Sequence, residues 1–177
     1  MHRLTLSAAA SLALVLPALA QDPGTAMATF IDRDGLEVGS VILAQGRDAI
    51  TIVGDLTGLT PGEHGFHFHE TGDCDGTTGF ESAGSHVNPD SHQHGLENPE
   101  GPHSGDLPNV IAGQDGTAAV NVTSATISLD AADPAYVFDA DGTALVVHAA
   151  ADDQVTDPSG NSGDRVACAV IEANTAP

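Results

Sequence analysis

Most of the nine histidines of this chain lie between positions 64 and 103, where their spacing is that of metal ligands. His67 and His69 are two positions apart, so alternation along a β-strand would place both imidazoles on one face. The same alternation would place Phe66 and Phe68 on the opposite face, in a hydrophobic core. A rise of about 3.3 Å per residue puts the two histidine Cα atoms ~6.5–7 Å apart, so both rings can reach one ion. The pair therefore predicts a metal site, and two surface histidines on an edge strand are the alternative.

The types of the neighbouring side chains narrow the choice of metal. Imidazoles with one carboxylate suit zinc, copper, nickel or iron, whereas iron–sulfur and copper(I)–thiolate sites need free thiolates. One group could give a tetrahedral zinc ion three of its four ligands, and its members are His94, His103 and Asp106. A second group could form a site of imidazoles alone, and its members are His67, His69 and His148. His86 could serve either metal, or both.

The elements that must position these residues have the pattern of short β-strands separated by Gly/Asp turns. Eight strands are predicted, over residues 25–31, 37–44, 49–56, 63–69, 117–122, 125–129, 143–148 and 165–171. No stretch keeps a helical period over three turns. Many short strands with such turns are typical of an all-β fold, an antiparallel sandwich or barrel.

Two polar segments interrupt this pattern and contain most of the candidate ligands. The first, residues 70–116 (the long loop), is rich in Gly, His, Asn, Asp and Pro. A segment of this length without strands is uncommon in a compact domain unless something fixes it, and a metal ion with a disulfide would be sufficient. The second, residues 149–164 (the short loop), follows His148 directly. We therefore predict that the two loops form the metal site.

The first 20 residues have the organisation of a secretory signal peptide. Arg3 gives a positive start, residues 4–16 are apolar, and residues 18–20 read Ala-Leu-Ala, a small-x-small cleavage site. The rival interpretation, a membrane span, requires a longer apolar run than this one, which three hydroxyl side chains interrupt. We expect residues 1–20 to be removed, which leaves one domain, residues 21–177, and no membrane attachment. Export to the periplasm is predicted first, and secretion from the cell second.

The charge of the expected mature chain excludes several kinds of partner. Residues 21–177 contain three arginines, no lysine and all 25 acidic residues, so the net charge is 3 − 25 = −22 with neutral histidines. Phosphate binding needs clustered Lys and Arg, so we expect no binding to nucleic acid or to anionic membranes. A charge this large weakly favours a monomer, and the sequence leaves a homodimer open.

The two cysteines are consistent with export. Cys74 lies in the long loop and Cys168 in an apolar strand near the C-terminus. In an oxidising compartment an isolated pair of this kind is predicted to form one disulfide, and two unrelated buried thiols are the alternative.

Six blocks of the sequence are characteristic in their order and spacing: GFHFHE (65–70), SAGSHVNP (82–89), HG (94–95), HSGDLPNV (103–110), LVVHAAADD (145–153) and GDRVACAVI (163–171). In these blocks the sequence resembles the copper/zinc superoxide dismutases, most closely the secreted bacterial kind. The order and spacing of the blocks fit the family over roughly residues 25–171. The resemblance implies an eight-stranded antiparallel Greek-key barrel or sandwich, with one copper and one zinc ion per subunit. It also implies an enzyme that converts two superoxide anions and two protons to O₂ and H₂O₂ by Cu(II)/Cu(I) cycling.

The resemblance further implies a role for each matched residue. The implied copper ligands are His67, His69, His86 and His148. The implied zinc ligands are His86, His94, His103 and Asp106. His86 would bridge the metals as an imidazolate and act in catalysis together with Arg165, which would attract and orient the anion. Asp152 would join the non-ligating nitrogens of His67 and His94. Cys74 and Cys168 match the disulfide of the family.

Some positions depart from the family pattern. His64 and His92 match no ligand; we interpret His64 as structural or solvent-facing, and His92 as a weaker candidate for zinc than His94. No lysine lies near the site, which leaves Arg165 as the only obvious positive charge beside copper. Because field focusing changes association rates by ~10–10³, slower turnover is expected.

Two other functions are possible for the same residues. One is an exported copper- or zinc-binding β-sandwich with little turnover, which would have no need of Arg165 beside an open copper position. The other is a zinc hydrolase, but the implied zinc site already has four protein ligands and leaves no position for water.

Overall fold

In the computed structural model, which describes residues 24–174, the regular secondary structure is almost entirely antiparallel β-strand. The strands are β1 (Thr25–Asp32), β2 (Glu37–Gln45), β3 (Ile50–Leu56), β4 (Gly62–His64), β5 (Phe66–His69), β6 (Val110–Ala112), β7 (Ala118–Ser124), β8 (Ala144–His148) and β9 (Arg165–Ala173). No α-helix occurs in residues 24–174; two short 3₁₀ turns cover Gly76–Thr78 and Glu81–Ala83. No helix of the described chain is long and apolar enough to cross a membrane. The predicted signal peptide, residues 1–20, lies outside the described residues.

Seven strands form one curled antiparallel sheet in the order β5-β8-β9-β1-β2-β3-β7, and β4 pairs with β6 in a second, small sheet. The last strand, β9, pairs with the first, β1, and β7 pairs with β3. Such pairing of strands that are distant in the sequence is characteristic of Greek-key connections. The predicted all-β antiparallel fold is confirmed.

The hydrophobic core lies on the inner face of the curled sheet. In β1 the alternation is strict, with Ala26, Ala28 and Phe30 buried and the residues between them exposed. The ring centroid of Phe30 lies 6.1 Å from that of Phe66, so β1 and β5 contribute to the same core. Every residue of β5 and of β8 is buried, whereas each of the longer strands contains exposed residues. Both faces of β5 and β8 are therefore covered.

The predicted strands differ in three places from the observed ones. The stretch 63–69 is divided at Gly65 into β4 and β5, which belong to different sheets. The backbone of Gly65 instead contacts the end of β8 and the short loop, because its N–H donates to Ala150 O and its carbonyl accepts from His148 N–H, both at 2.8 Å. The stretch 125–129 forms only an isolated bridge, and β6 was not predicted, so nine strands replace the expected eight.

The predicted disulfide between Cys74 and Cys168 is present and joins the long loop to β9 across 94 positions of sequence. Around it lies a small apolar cluster that includes Phe80, Ala83 and Val146. Closing a loop of this size is worth about 4–5 kcal/mol in the chain-entropy model. The long loop therefore has an anchor that does not depend on a metal.

Candidate metal centre

The strand β5 lies at the edge of the seven-stranded sheet, and the long loop covers its free side. Isolated antiparallel bridges join His67 to Asp106 and His69 to His86. Between these bridges, the backbone N–H and carbonyl of Phe68 both form hydrogen bonds with the long loop, at 2.9 and 3.0 Å. Pairing along β5 thus brings residues that are distant in the sequence next to its two histidines.

Four imidazoles converge beside β5. This first cluster consists of His67, His69, His86 and His148, all buried, and one ligating atom from each lies within 4.8 Å of the others. In each ring one nitrogen lacks a hydrogen-bond partner among the described residues: Nδ1 of His67 and Nε2 of the other three. Buried unpaired nitrogens destabilise a fold by about 1–3 kcal/mol each. A cation that takes their lone pairs removes this penalty, so the cluster fits a metal ion.

The second nitrogen of three of these rings is held by an acceptor, which decides where the proton sits. His67 Nε2 lies 2.7 Å from Asp152 Oδ2. His69 Nδ1 and His148 Nδ1 lie 2.9 and 3.1 Å from backbone carbonyl oxygens. Carboxylate and carbonyl oxygens only accept, so each of these nitrogens carries the hydrogen, and the unpaired nitrogen keeps its lone pair. These hydrogen bonds therefore leave the lone pair of each of the three rings available to a metal ion.

A second cluster lies on the other side of His86, where three histidine rings surround the carboxylate of Asp106. Its members are His86, His94, His103 and Asp106. Asp106 Oδ1 lies 2.9 Å from His86 Nδ1 and 3.0 Å from His94 Nδ1. His103 Nδ1 is 3.4 Å from the same oxygen and 3.3 Å from His86 Nδ1. Ligand atoms at about 2.0–2.1 Å from a tetrahedral zinc ion are about 3.3 Å apart, so these separations fit zinc. The other carboxylate oxygen, Oδ2, accepts from the backbone N–H groups of Gly95 and His103, which leaves Oδ1 for the metal.

His86 lies between the clusters and belongs to both. Its Nδ1 faces Asp106, and its Nε2 is the unpaired atom of the first cluster. Ligand atoms of His67, His86, His94 and Asp106 also lie within 4.8 Å of one another, a group that does not include His103. Because His67 Nε2 is hydrogen-bonded to Asp152 and its Nδ1 belongs to the first cluster, we assign the fourth position of the second cluster to His103, whose Nδ1 lies 3.4 Å from Asp106 Oδ1.

The buried carboxylate of Asp152 forms hydrogen bonds with one histidine of each cluster. Asp152 Oδ2 lies 2.7 Å from His67 Nε2, and both Asp152 oxygens lie 3.0 Å from His94 Nε2. The backbone of Asp152 is fixed by Asn109, whose side chain accepts from its N–H and donates to its carbonyl, both at 2.9 Å. Sequence reasoning missed Asn109, although it lies inside the block HSGDLPNV. An amide that holds the backbone of another loop has no spacing signature.

Arg165 is tied to the segment that covers the first cluster. Its two terminal nitrogens donate to Phe80 O at 2.6 Å and to Gly84 O at 2.7 Å. The carbonyl of Gly84 also accepts from His69 Nδ1, so one oxygen links the guanidinium to a ring of the first cluster. Burial lowers the pKa of Arg165, and Glu81 opposes this. An arginine remains charged at neutral pH, so a positive group is fixed beside the cluster.

The two unmatched histidines lie outside both clusters. His64 is buried, with Nδ1 2.6 Å from His148 O and Nε2 2.8 Å from Thr60 O. It is therefore structural, and the solvent-facing alternative is wrong. His92 is exposed, and its Nδ1 lies 3.1 Å from Pro102 O.

The protonation states of the clusters differ in the absence of metal. Burial lowers the pKa of His67 to about 3, against the hydrogen bond with Asp152, and lowers the pKa of His148 to about 4. Burial also acts to lower the pKa of His94, but hydrogen bonds with Asp106 and Asp152 outweigh it and raise that pKa to about 9. At pH 7 the rings of His67 and His148 are neutral, as metal ligands must be. In the second cluster, His94 is protonated at pH 7 in the absence of metal, and zinc binding would displace one of its ring protons.

Gly160 makes room for the carboxylate that connects the clusters. It has a φ of 60°, and a Cβ at this position would collide with Asp152 Oδ1 and lie 2.9 Å from His94 Nε2. We expect Gly160→Ala to displace Asp152 and to weaken zinc binding about 10–100-fold, the usual effect of losing a partner of a metal ligand. Zinc affinity is measured by competition with a chromophoric chelator.

Gly58→Ala is the matched control for this prediction. Gly58 also has a positive φ, 77°, but a Cβ there would meet only Val38 Cγ1, at 3.9 Å. Equal zinc affinities for the two variants would contradict the role assigned to the space at Gly160.

Comparison with known proteins identifies the family of this chain. The family model for copper/zinc superoxide dismutase (SODC) matches residues 37–171. The superoxide dismutase [Cu-Zn] of Caulobacter vibrioides is 47% identical over 142 residues, which are 78% of this chain and 80% of that protein. Superoxide dismutase [Cu-Zn] 2 of Aquifex aeolicus is 40% identical over 172 residues, 97% of this chain and 99% of that protein.

Solved structures agree with this result. A SOD-like protein from Bacillus subtilis superposes with a TM-score of 0.76 at 38% identity, over 81% of this chain and 96% of that chain. The clock protein EA4 superposes with a TM-score of 0.73 at 33% identity, over 90% of this chain and 99% of that chain. The family model spans every member of both clusters and the chain from β2 to most of β9, and the chain belongs to the copper/zinc superoxide dismutase family.

Proposed function

We propose that this protein is a superoxide dismutase whose first cluster holds copper and whose second cluster holds zinc. The proposed copper ligands are His67, His69, His86 and His148. The proposed zinc ligands are His86, His94, His103 and Asp106. The observation that carries the assignment is the set of four buried, unpaired nitrogens that converge beside β5. Bound copper supplies a one-electron couple, Cu(II)/Cu(I), with which one superoxide is oxidised to O₂ and another is reduced to H₂O₂ with two protons.

His86 is the residue proposed to move a proton at the reacting centre. Its Nδ1 is held on the Asp106 side, whereas its Nε2 faces the first cluster without another partner among residues 24–174. A ring fixed by one nitrogen can release or take up a proton at the other without leaving its position. Nε2 of His86 is therefore suited to deliver one of the two protons that H₂O₂ requires.

Arg165 is proposed to bind and orient the anion. Its guanidinium is held by two carbonyl oxygens, so its position is defined before the substrate arrives. Residues 21–177, with a net charge of 3 − 25 = −22, repel an anion at long range, so a fixed positive group at the site matters more than in a neutral protein. This arrangement favours a dismutase over the alternative, a copper- and zinc-binding protein with little turnover.

We expect copper-dependent catalysis that decreases when Arg165 is replaced. In pulse radiolysis, the protein with both metals should remove superoxide catalytically, and the zinc-only form should not. Arg165→Gln should lower kcat/KM by about tenfold or more, because charge at a binding cleft changes association rates by ~10–10³. Equal decay with both metal forms, while copper occupies its site, would identify the protein as a metal carrier.

Proton release on metal binding tests the assignment of the two clusters. Below its pKa of about 9, His94 is charged in the metal-free protein, so zinc binding at pH 7 should release about one proton. This release should disappear as the pH rises through 9. Copper(II) added to the zinc form should release about one further proton, from His86 Nε2, if that ring bridges the metals. Calorimetry in buffers with different ionisation enthalpies counts the protons.

His92→Gln is the control for the calorimetry, since His92 is exposed and belongs to neither cluster. It should leave both proton counts unchanged. If copper released no proton from the zinc form, His86 would not be a bridging imidazolate.

We also propose that residues 1–20 are a signal peptide and that the mature protein, residues 21–177, works in the periplasm or, second, outside the cell. The Cys74–Cys168 disulfide supports an oxidising compartment. When the full chain is expressed in a Gram-negative host, the intact mass of the periplasmic protein should correspond to a chain that begins at Gln21. Recovery of the uncleaved chain from the cytoplasm alone would contradict export.

A further inference from the structure

A second arginine lies directly against the backbone of Arg165. Arg33 follows the last residue of β1, and its Nε donates to Arg165 O at 2.9 Å. The last backbone pair between β1 and β9 is Asp32 with Ala167. The side chain of Arg33 therefore supplies a donor to β9 beyond the point where backbone pairing with β1 ends.

Arg33 also packs against the segment that receives the guanidinium of Arg165. The guanidinium of Arg33 lies 3.7–4.0 Å from where a Cβ of Gly79 would be, and Gly79 precedes Phe80, whose carbonyl accepts from Arg165. A Cβ at Gly76 would lie 2.5 Å from the carbonyl oxygen of Arg33, so the two backbones touch. Arg33 thus contacts both the main chain of Arg165 and the segment leading to one of its side-chain acceptors.

The position of Arg165 in its strand explains why such a contact matters. Arg165 is the first residue of β9, where terminal residues fray, and it pairs with His148 just beyond a register shift in β8. A small displacement of an orienting group reduces catalysis, since misplacement by 1 Å costs about 10²-fold. An additional hydrogen bond at this point restricts where the guanidinium can lie.

We propose that Arg33 is a positioning residue for Arg165 in the reaction with superoxide. This inference rests on the proposed function, in which Arg165 orients the anion. Arg33 acts through geometry and not mainly through its charge. Asp164 Oδ2 lies 3.4 Å from its terminal nitrogen and opposes that charge, and the two side chains are 45% and 78% exposed. Exposed pairs of this kind contribute little stability.

The chain offers a matched control, because Arg47 is exposed in the turn between β2 and β3 and its removal changes the net charge equally. Arg33→Gln should lower kcat/KM about threefold to tenfold and weaken the binding of azide, a probe anion, to the copper- and zinc-loaded protein by a similar factor. Arg47→Gln should change neither. Arg33→Lys keeps the charge but has no planar fork that reaches both Arg165 O and Asp164, so it should show a decrease too.

The position of Arg165 can also be tested without measuring activity. The measurement is the ¹⁵N side-chain NMR spectrum of the diamagnetic zinc-only protein. Residues 21–177 contain only three arginines, so the Nε–H signal of Arg165 can be assigned directly. Its exchange with water should become several-fold faster in Arg33→Gln and Arg33→Lys, and should remain unchanged in Arg47→Gln.

The possible outcomes distinguish failure of the positioning role of Arg33 from failure of the anion-orienting role of Arg165. Full activity and azide affinity in Arg33→Lys would show that Arg33 acts by charge alone and would overturn the positioning role. Equal behaviour of Arg33→Gln and Arg47→Gln would overturn it as well, and so would an unchanged Arg165 signal in a correctly metallated variant. If Arg165→Gln itself were fully active, the proposed function of Arg165 would fail instead. Metal content and thermal midpoint are measured for each variant, and Arg33→Lys remains decisive if Arg33→Gln does not fold.

Discussion

The metal centre depends on β5 being buried on both faces and along its free edge. Its phenyl rings enter the core, which fixes the strand, and alternation then fixes where His67 and His69 point. The edge is closed by bridges to His86 and Asp106, so the same pairing that satisfies the backbone of β5 also delivers two more ligands. A shift of one residue in this strand would place the imidazoles in the core, so the core enforces the register of the site.

Burial acts to lower the pKa of the histidines in both clusters, but at His94 two carboxylates outweigh it. In the first, buried His67 and His148 are kept neutral, and acceptors behind the rings select the tautomer that leaves a lone pair free. In the second, the carboxylates of Asp106 and Asp152 keep His94 charged without metal. Asp152 belongs to both arrangements, because it holds the proton of His67 and that of His94. The shared carboxylate therefore couples the protonation of the two clusters, although it is not one of the proposed ligands of either metal.

The fold class and the pair His67 and His69 were predictable from a period or a spacing, whereas the full membership of the two clusters was implied by the resemblance to a family. The two-residue step from His67 to His69 is a spacing of this kind, and the blocks around the other ligands carry the resemblance. The division of the stretch 63–69 was not predictable in this way, since Gly65 separates two sheets through contacts with the short loop. Asn109 and Arg33 were missed for the same reason: each acts on a backbone group more than 40 positions away, and such contacts leave no local pattern.

Anchors that involve no metal give the two loops their shape. The disulfide fixes the start of the long loop to β9, Asn109 joins the long loop to the short loop at Asp152, and Arg165 ties β9 back to the long loop at Phe80 and Gly84. These contacts involve only protein groups, and they hold the segments that carry the unpaired nitrogens. The same anchors place the guanidinium of Arg165, so in this acidic protein one network of loop contacts determines both the ligand geometry and the position of the nearby positive charge.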